Sequence, residues 1–142
     1  MGELKIERHY PVAPERLFAF LTETKNLLKW WGPEGTSVAE QSLDLTQTGP
    51  WNFVLIDPQG GHHRMSGEVR SVDAPHSVEF TMIVHEPVDN PSINSTVRFE
   101  VRPDGDGGSH FILTQTGLTD EMIVIGSTRG WTSTLARLER LL

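Results

Sequence analysis

The stretch GWTSTLARLERLL, residues 130–142, carries Trp131, Leu135, Leu138 and Leu142 at spacings of four, three and four. That is the period of one helical face, so the chain is predicted to end in a helix with a continuous apolar stripe. Such a stripe needs a surface to cover it. Gly130, just before the stripe, costs about 1 kcal/mol of helix propensity relative to alanine, and a close approach to the covering surface would offset that cost.

The covering surface lies upstream. From residue 36 the period changes to two, and strand candidates recur at 37–45, 50–57, 62–73, 76–86, 93–102 and 109–117. Their separators, DPQGG (57–61), DAPH (73–76), EPVDNPS (86–92) and PDGDGG (103–108), are rich in the Pro, Asp, Asn and Gly of chain reversals. Val78, Phe80, Met82 and Val84 share one strand face; Ser95, Val97, Phe99 and Val101 share another; Phe111, Leu113 and Gln115 share a third. Glu79, Thr81, Arg98, Glu100 and Thr114 occupy the opposite faces. An antiparallel sheet with one wet and one covered side follows.

Before the sheet, LKIERHY alternates Leu4, Ile6 and Arg8 against Lys5, Glu7 and His9, the pattern of a first strand. Pro14 and Glu15 then open a helix whose stripe is Leu17, Phe18, Phe20 and Leu21, and a second short helix around Lys25–Lys29 delivers the chain to WWGPEG at 30–35. The predicted class is α+β: a curved antiparallel sheet of about seven strands wrapped around a long C-terminal helix, with two short helices after the first strand.

Composition limits what such a fold can do. At 142 residues one domain, 1–142, is expected. The chain has no cysteine, which excludes disulfides and thiolate chemistry and suits a reducing compartment. MGELKIERHY lacks a hydrophobic signal segment and no run approaches a membrane span, so a cytoplasmic protein is expected. The formal charge of −7, with twelve scattered Lys and Arg, would repel phosphate backbones.

VAPERLFAFLT (12–22), KWWGPEG (29–35), GEVRSVDAPHSVEFT (67–81), VRFEV (97–101) and the terminal GWTSTLARLERLL together resemble the family related to the activator of the heat-shock chaperone ATPase. That family lies within the START-like, birch-pollen-allergen-like helix-grip superfamily (SRPBCC). TGPWNF (48–53) departs from it, with Gly49 then Pro50 where the family usually shows paired glycines. The resemblance implies an internal cavity between sheet and terminal helix. Of the adjacent Trp30 and Trp31, which point different ways, one is then read as a core plug and the other as a residue near the cavity entrance. Gly32, Pro33 and Gly35 make the turn into the second strand.

The inward strand faces and the helix stripe nominate the cavity lining: Trp31, Trp51, Phe53, Leu55, Met65, Phe80, Met82, Val97, Phe99, Phe111, Leu113, Gln115, Trp131 and Leu135. Gln115 is the polar exception, bonding to the terminal helix or orienting a ligand, with Ser95 and Thr134 able to play similar parts. The adjacent His62 and His63 point to opposite strand faces and make a poor metal pair, and His9, His76, His85 and His110 form no cluster. DGDGG (104–108) lacks the later acidic ligand of a calcium loop. No catalytic, cofactor-binding or metal-ligating residue is assigned, and no cofactor is called for.

The reading favours non-catalytic binding of a small hydrophobic or aromatic molecule. The alternatives are a polyketide-cyclase-like or hydrolase-like enzyme using the same cavity and, last, a chaperone ATPase co-regulator, since the additional N-terminal domain of those activators is not seen. The partners it allows are the apolar ligand and a second copy in a homodimer. Nucleic acid is not among them: titration with DNA or RNA at physiological salt should show no tight binding, and submicromolar affinity would contradict the charge argument.

Overall fold

The computed structural model describes residues 2–85, 91–119 and 121–142. Seven strands, β1 (Gly2–Tyr10), β2 (Ser37–Gln41), β3 (Gly49–Ile56), β4 (His62–Asp73), β5 (Ser77–His85), β6 (Pro91–Asp104) and β7 (Gly108–Leu118), form one antiparallel sheet in the order β1-β7-β6-β5-β4-β3-β2. Helices α1 (Pro14–Thr22) and α2 (Thr24–Trp30) follow β1, and α3 (Glu121–Glu139) ends the chain. The curved sheet grips α3 through Trp131, Leu135 and Leu138, each nearly fully buried.

The ends of α1 and α2 are held from outside. Trp30, with no exposed surface, donates its indole N–H to the carbonyl of Phe20 at 2.8 Å, and Asn26 Nδ2 donates to Ala19 O at 3.1 Å. Arg137 of α3 reaches back to the end of α2, donating to Trp31 O (3.2 Å) and Gly32 O (2.9 Å). Phe20 O lies in the last turn of α1, where carbonyls lack a partner within the helix; Ala19 O also accepts the Glu23 N–H, and Trp31 O and Gly32 O lie just past α2, so these side chains brace the turns that follow each helix. The turn that follows needs glycine at Gly32 (φ 100°) and Gly35 (φ 83°).

Three expectations are corrected. The second strand was predicted to run over 37–45, but β2 stops at Gln41 with all five residues exposed. Leu43 and Leu45 are fully buried outside the sheet, where Leu45 N–H donates to Thr22 O and Thr24 Oγ1 donates to Leu43 O. Their alternation reflects docking against the α1–α2 junction. The terminal stripe extended to Leu142, but α3 ends at Glu139 and begins ten residues before Trp131. Gly130 makes no close approach to the sheet, since a Cβ there meets nothing within 4 Å. The turn residues of 86–90 lie outside the described residues.

Pro50 is tolerated because β2 pairs with β3 from Phe53 onward, leaving β3 without that neighbour where the proline sits. Gly67 is the most closely approached of the glycines. A methyl group there would overlap the carbonyl of Thr81 and crowd the Trp51 indole, whose N–H donates to that same carbonyl at 3.1 Å. Gly67→Ala should therefore destabilise the fold by about 1–3 kcal/mol, the usual cost of overpacking. Chemical denaturation would measure this, and an unchanged midpoint would contradict the contact.

Candidate functional site

Between the sheet and α3 the core divides into a filled half and an open half. The filled half is aromatic. Trp31, 3% exposed, stands at its boundary with ring-centroid separations of 5.7 Å to Trp30, 6.0 Å to Trp51, 6.2 Å to both Phe53 and Phe80, and 5.7 Å to Trp131. Phe80, Phe99 and Phe111 continue the packing edge to face across β5, β6 and β7. Aromatic pairs in such geometries add about 0.5–1.5 kcal/mol beyond their buried area.

The open half is a cavity of about 570 Å³. Leu55 at the end of β3, Met65 near the start of β4, Met82 and Val84 at the end of β5 and Ile93 at the start of β6 supply its sheet wall. Trp31 and the turn 32–36 close one side. Gly126, Ser127, Gly130, Trp131 and Thr134 of α3 form the opposite wall, so most of what the helix presents there is glycine or a short hydroxyl side chain.

The nominated residues divide accordingly. Trp31, Leu55, Met65, Met82, Gln115 and Trp131 face the cavity, whereas Trp51, Phe53, Phe80, Val97, Phe99, Phe111, Leu113 and Leu135 are buried outside its lining. All of them point inward; those in the filled half lie where side chains from sheet and helix meet. Of the two tryptophans, Trp30 is the plug, and Trp31 is a buried wall of the cavity rather than part of an exposed rim.

Gln115, 1% exposed, is held at both ends of its amide. Trp131 Nε1–H donates to its Oε1 at 2.9 Å, its Nε2 donates to Ser95 Oγ at 2.8 Å, and Ser95 Oγ donates onward to Met82 O at 3.1 Å. The relay runs from α3 through β7 and β6 to β5, fixing the helix against the sheet beside the cavity. Thr134 bonds back to Gly130 O within α3.

Sequence reasoning missed the ionic rim. His63 Nε2 lies 2.6 Å from Asp57 Oδ2, and Asp57 Oδ1 accepts the backbone N–H groups of Gln59 (2.9 Å) and Gly61 (2.8 Å). The His63 bond, then the Gly61 amide, hold the Asp57 carboxyl below the usual carboxylate range. In the 32–36 turn, Arg140 grips Glu34 with two bonds of 2.7 Å and likewise lowers its pKa, while Glu34 N–H donates to Ser133 Oγ. DPQGG read as a turn and HH as an unlikely metal pair conceal this pairing, which forms only when the hairpin brings position 57 beside position 63. His62 lies exposed on the other side, in a shallow groove with Glu40 and Arg64. Among the described residues no group of three or more His, Cys, Asp or Glu side chains is placed to hold a metal ion, and no helix is long and apolar enough to cross a membrane.

Comparison with known proteins bears on the family and the fold. The family described as "Activator of Hsp90 ATPase homolog 1-like protein" matches residues 11–142. The crystal structure of an AHSA1 protein from Silicibacter pomeroyi is 38% identical, covers 98% of this chain and 96% of its own, and superposes with a TM-score of 0.91. Proteins from Chromobacterium violaceum (17% identical, 100% and 98% covered, TM-score 0.85) and Nitrosomonas europaea (25%, 99% and 93%, TM-score 0.80) share the fold. No curated protein matches the chain.

The relay carries a stability consequence. Gln115→Leu removes the acceptor of a buried indole N–H and should cost about 1–3 kcal/mol. A thermal or denaturant midpoint equal to that of the unsubstituted protein would show that the amide is not needed to hold α3.

Proposed function

The chain belongs to the activator of Hsp90 ATPase homolog 1-like family, within the SRPBCC superfamily, and from that premise we propose that it is a single-domain cytoplasmic protein that binds a small hydrophobic or aromatic molecule in the cavity without transforming it. The family suggests a hydrophobic ligand-binding fold. The walls suit such an occupant: indoles, methionines and branched aliphatic side chains, with the neutral amide of Gln115 beside them. Burial against them gains about 25 cal/mol per Å² of apolar area removed from water.

The observation that carries the reading is the pair of glycines in the middle of α3. Gly126 and Gly130 have no positive φ that would require glycine, and a Cβ on either meets nothing within 4 Å. Neither backbone conformation nor packing explains them, and each costs about 1 kcal/mol of helix stability relative to alanine. Both line the cavity. What they preserve is its volume, a sacrifice of stability of the kind binding sites make.

The Asp57–His63 pair is the one observation that favours the alternative of a cyclase-like or hydrolase-like enzyme, because a carboxylate-oriented imidazole beside a cavity is the arrangement of a general base. Turnover of a bound compound that disappears in His63→Gln would promote that alternative.

Binding can be tested with the neutral fluorescent probe N-phenylnaphthylamine, whose emission should rise on entering the cavity. Gly130→Ala should raise stability by up to about 1 kcal/mol. Gly130→Leu, which projects a side chain into the open space, should keep the fold by circular dichroism yet weaken probe affinity by roughly tenfold or more. A Leu variant that binds as well as the parent would place the probe elsewhere and overturn the reading.

A further inference from the structure

The cavity is graded from floor to rim. Trp31, Met82, Gln115 and Trp131 are each less than a tenth exposed, and none carries a charge. At the solvent end stand Glu34, Asp57 and His63, all of them exposed or half-buried. Among the described residues that line the cavity there is no lysine or arginine.

The two rim carboxylates differ in what opposes them. Glu34 is matched by Arg140, whose guanidinium stands outside the lining. Asp57 is held by His63 and by two backbone amides, and no Lys or Arg among the described residues pairs with it. Hydrogen bonding keeps both carboxyls ionised through neutral pH. The formal charge of −7 adds a background of the same sign.

Resting on the binding reading above, we propose that the ligand of this cavity is an amphiphile with an apolar or aromatic body and a cationic head, an ammonium or amidinium group, and that the rim rejects carboxylates of the same body. The body lies against the indoles and methionines of the floor, and the head meets Asp57 and Glu34 at the mouth. A carboxylate head would face the Asp57 and Glu34 carboxylates, of which only Glu34 is offset by a guanidinium, and no Lys or Arg stands in the described lining to receive it.

The test uses the full chain and three matched compounds, naphthylethylamine, naphthylethanol and naphthylacetate, titrated by calorimetry at neutral pH and low salt. The amine should bind tighter than the alcohol and the alcohol tighter than the acid, with amine and acid separated by about tenfold or more. The gap should narrow as salt is added. Asp57→Asn keeps an Oδ1 to accept the Gln59 and Gly61 amides, so the turn should survive, and it should shrink the amine-to-acid ratio several-fold, chiefly by weakening the amine. Equal affinities, or the acid binding tightest, would overturn the cationic head while leaving the cavity a binding site. If none of the three binds, the binding reading falls and this proposal with it.

Discussion

Carbonyl groups at the end of a helix run short of partners inside it, and in this chain the last turn of α1 and the turn that leaves α2 are bonded by side chains from elsewhere. Trp30 and Asn26 satisfy the end of α1. Arg137, more than a hundred residues away, holds the Trp31 and Gly32 carbonyls just past the end of α2. These bonds fix where the chain turns between Trp30 and Gly32, and so where the Trp31 indole stands. The five rings around Trp31 and the boundary between packed core and open cavity follow from that placement. Two large side chains are adjacent at a chain-breaking turn because one closes a helix and the other divides an interior.

The cavity results from what α3 omits as much as from what the sheet supplies. On one turn of the helix Trp131 fills the space toward Phe99 at 5.8 Å; on the adjacent positions Gly126 and Gly130 leave it empty. A helix that was apolar and bulky throughout would pack the whole interior. The Gln115 relay then becomes important, because with little side-chain mass over the cavity the helix is anchored there by directed hydrogen bonds rather than by contact area.

Much of this was legible in the sequence, for a physical reason that also defines the limit. The inward positions of β5, β6 and β7 alternate because one side of the sheet is buried, so Phe80, Phe99 and Phe111 could be assigned from period alone. The first half of α3 could not. Met122, Ile123, Val124 and Ile125 are consecutive apolar residues without helical spacing, and the structure leaves Met122 75% and Ile125 40% exposed. Leu43 and Leu45 alternate as a strand would but are buried by helices. Period tells which way a side chain points, not what it meets. Whether Phe53 fills and Leu55, two residues on, lines a cavity depends on the opposing helix, and the Asp57–His63 pair depends on a hairpin that had first to fold.

The pairing of β1 with β7 joins the two extremes of the sheet's sequence, with Gly2 opposite Leu118 and Tyr10 opposite Ser109. Hairpins from β3 through β7 form between neighbours in the chain, but β1 has no partner until β7 exists. During synthesis at about 5–20 residues per second, the first strand therefore waits several seconds with its hydrogen-bonding groups unmatched. The alternation of Lys5, Glu7 and His9 along its outer face gives that waiting strand a charged, soluble side. The loop between them is the longest that any strand pairing in the sheet has to close, and long-range pairing of this kind slows folding.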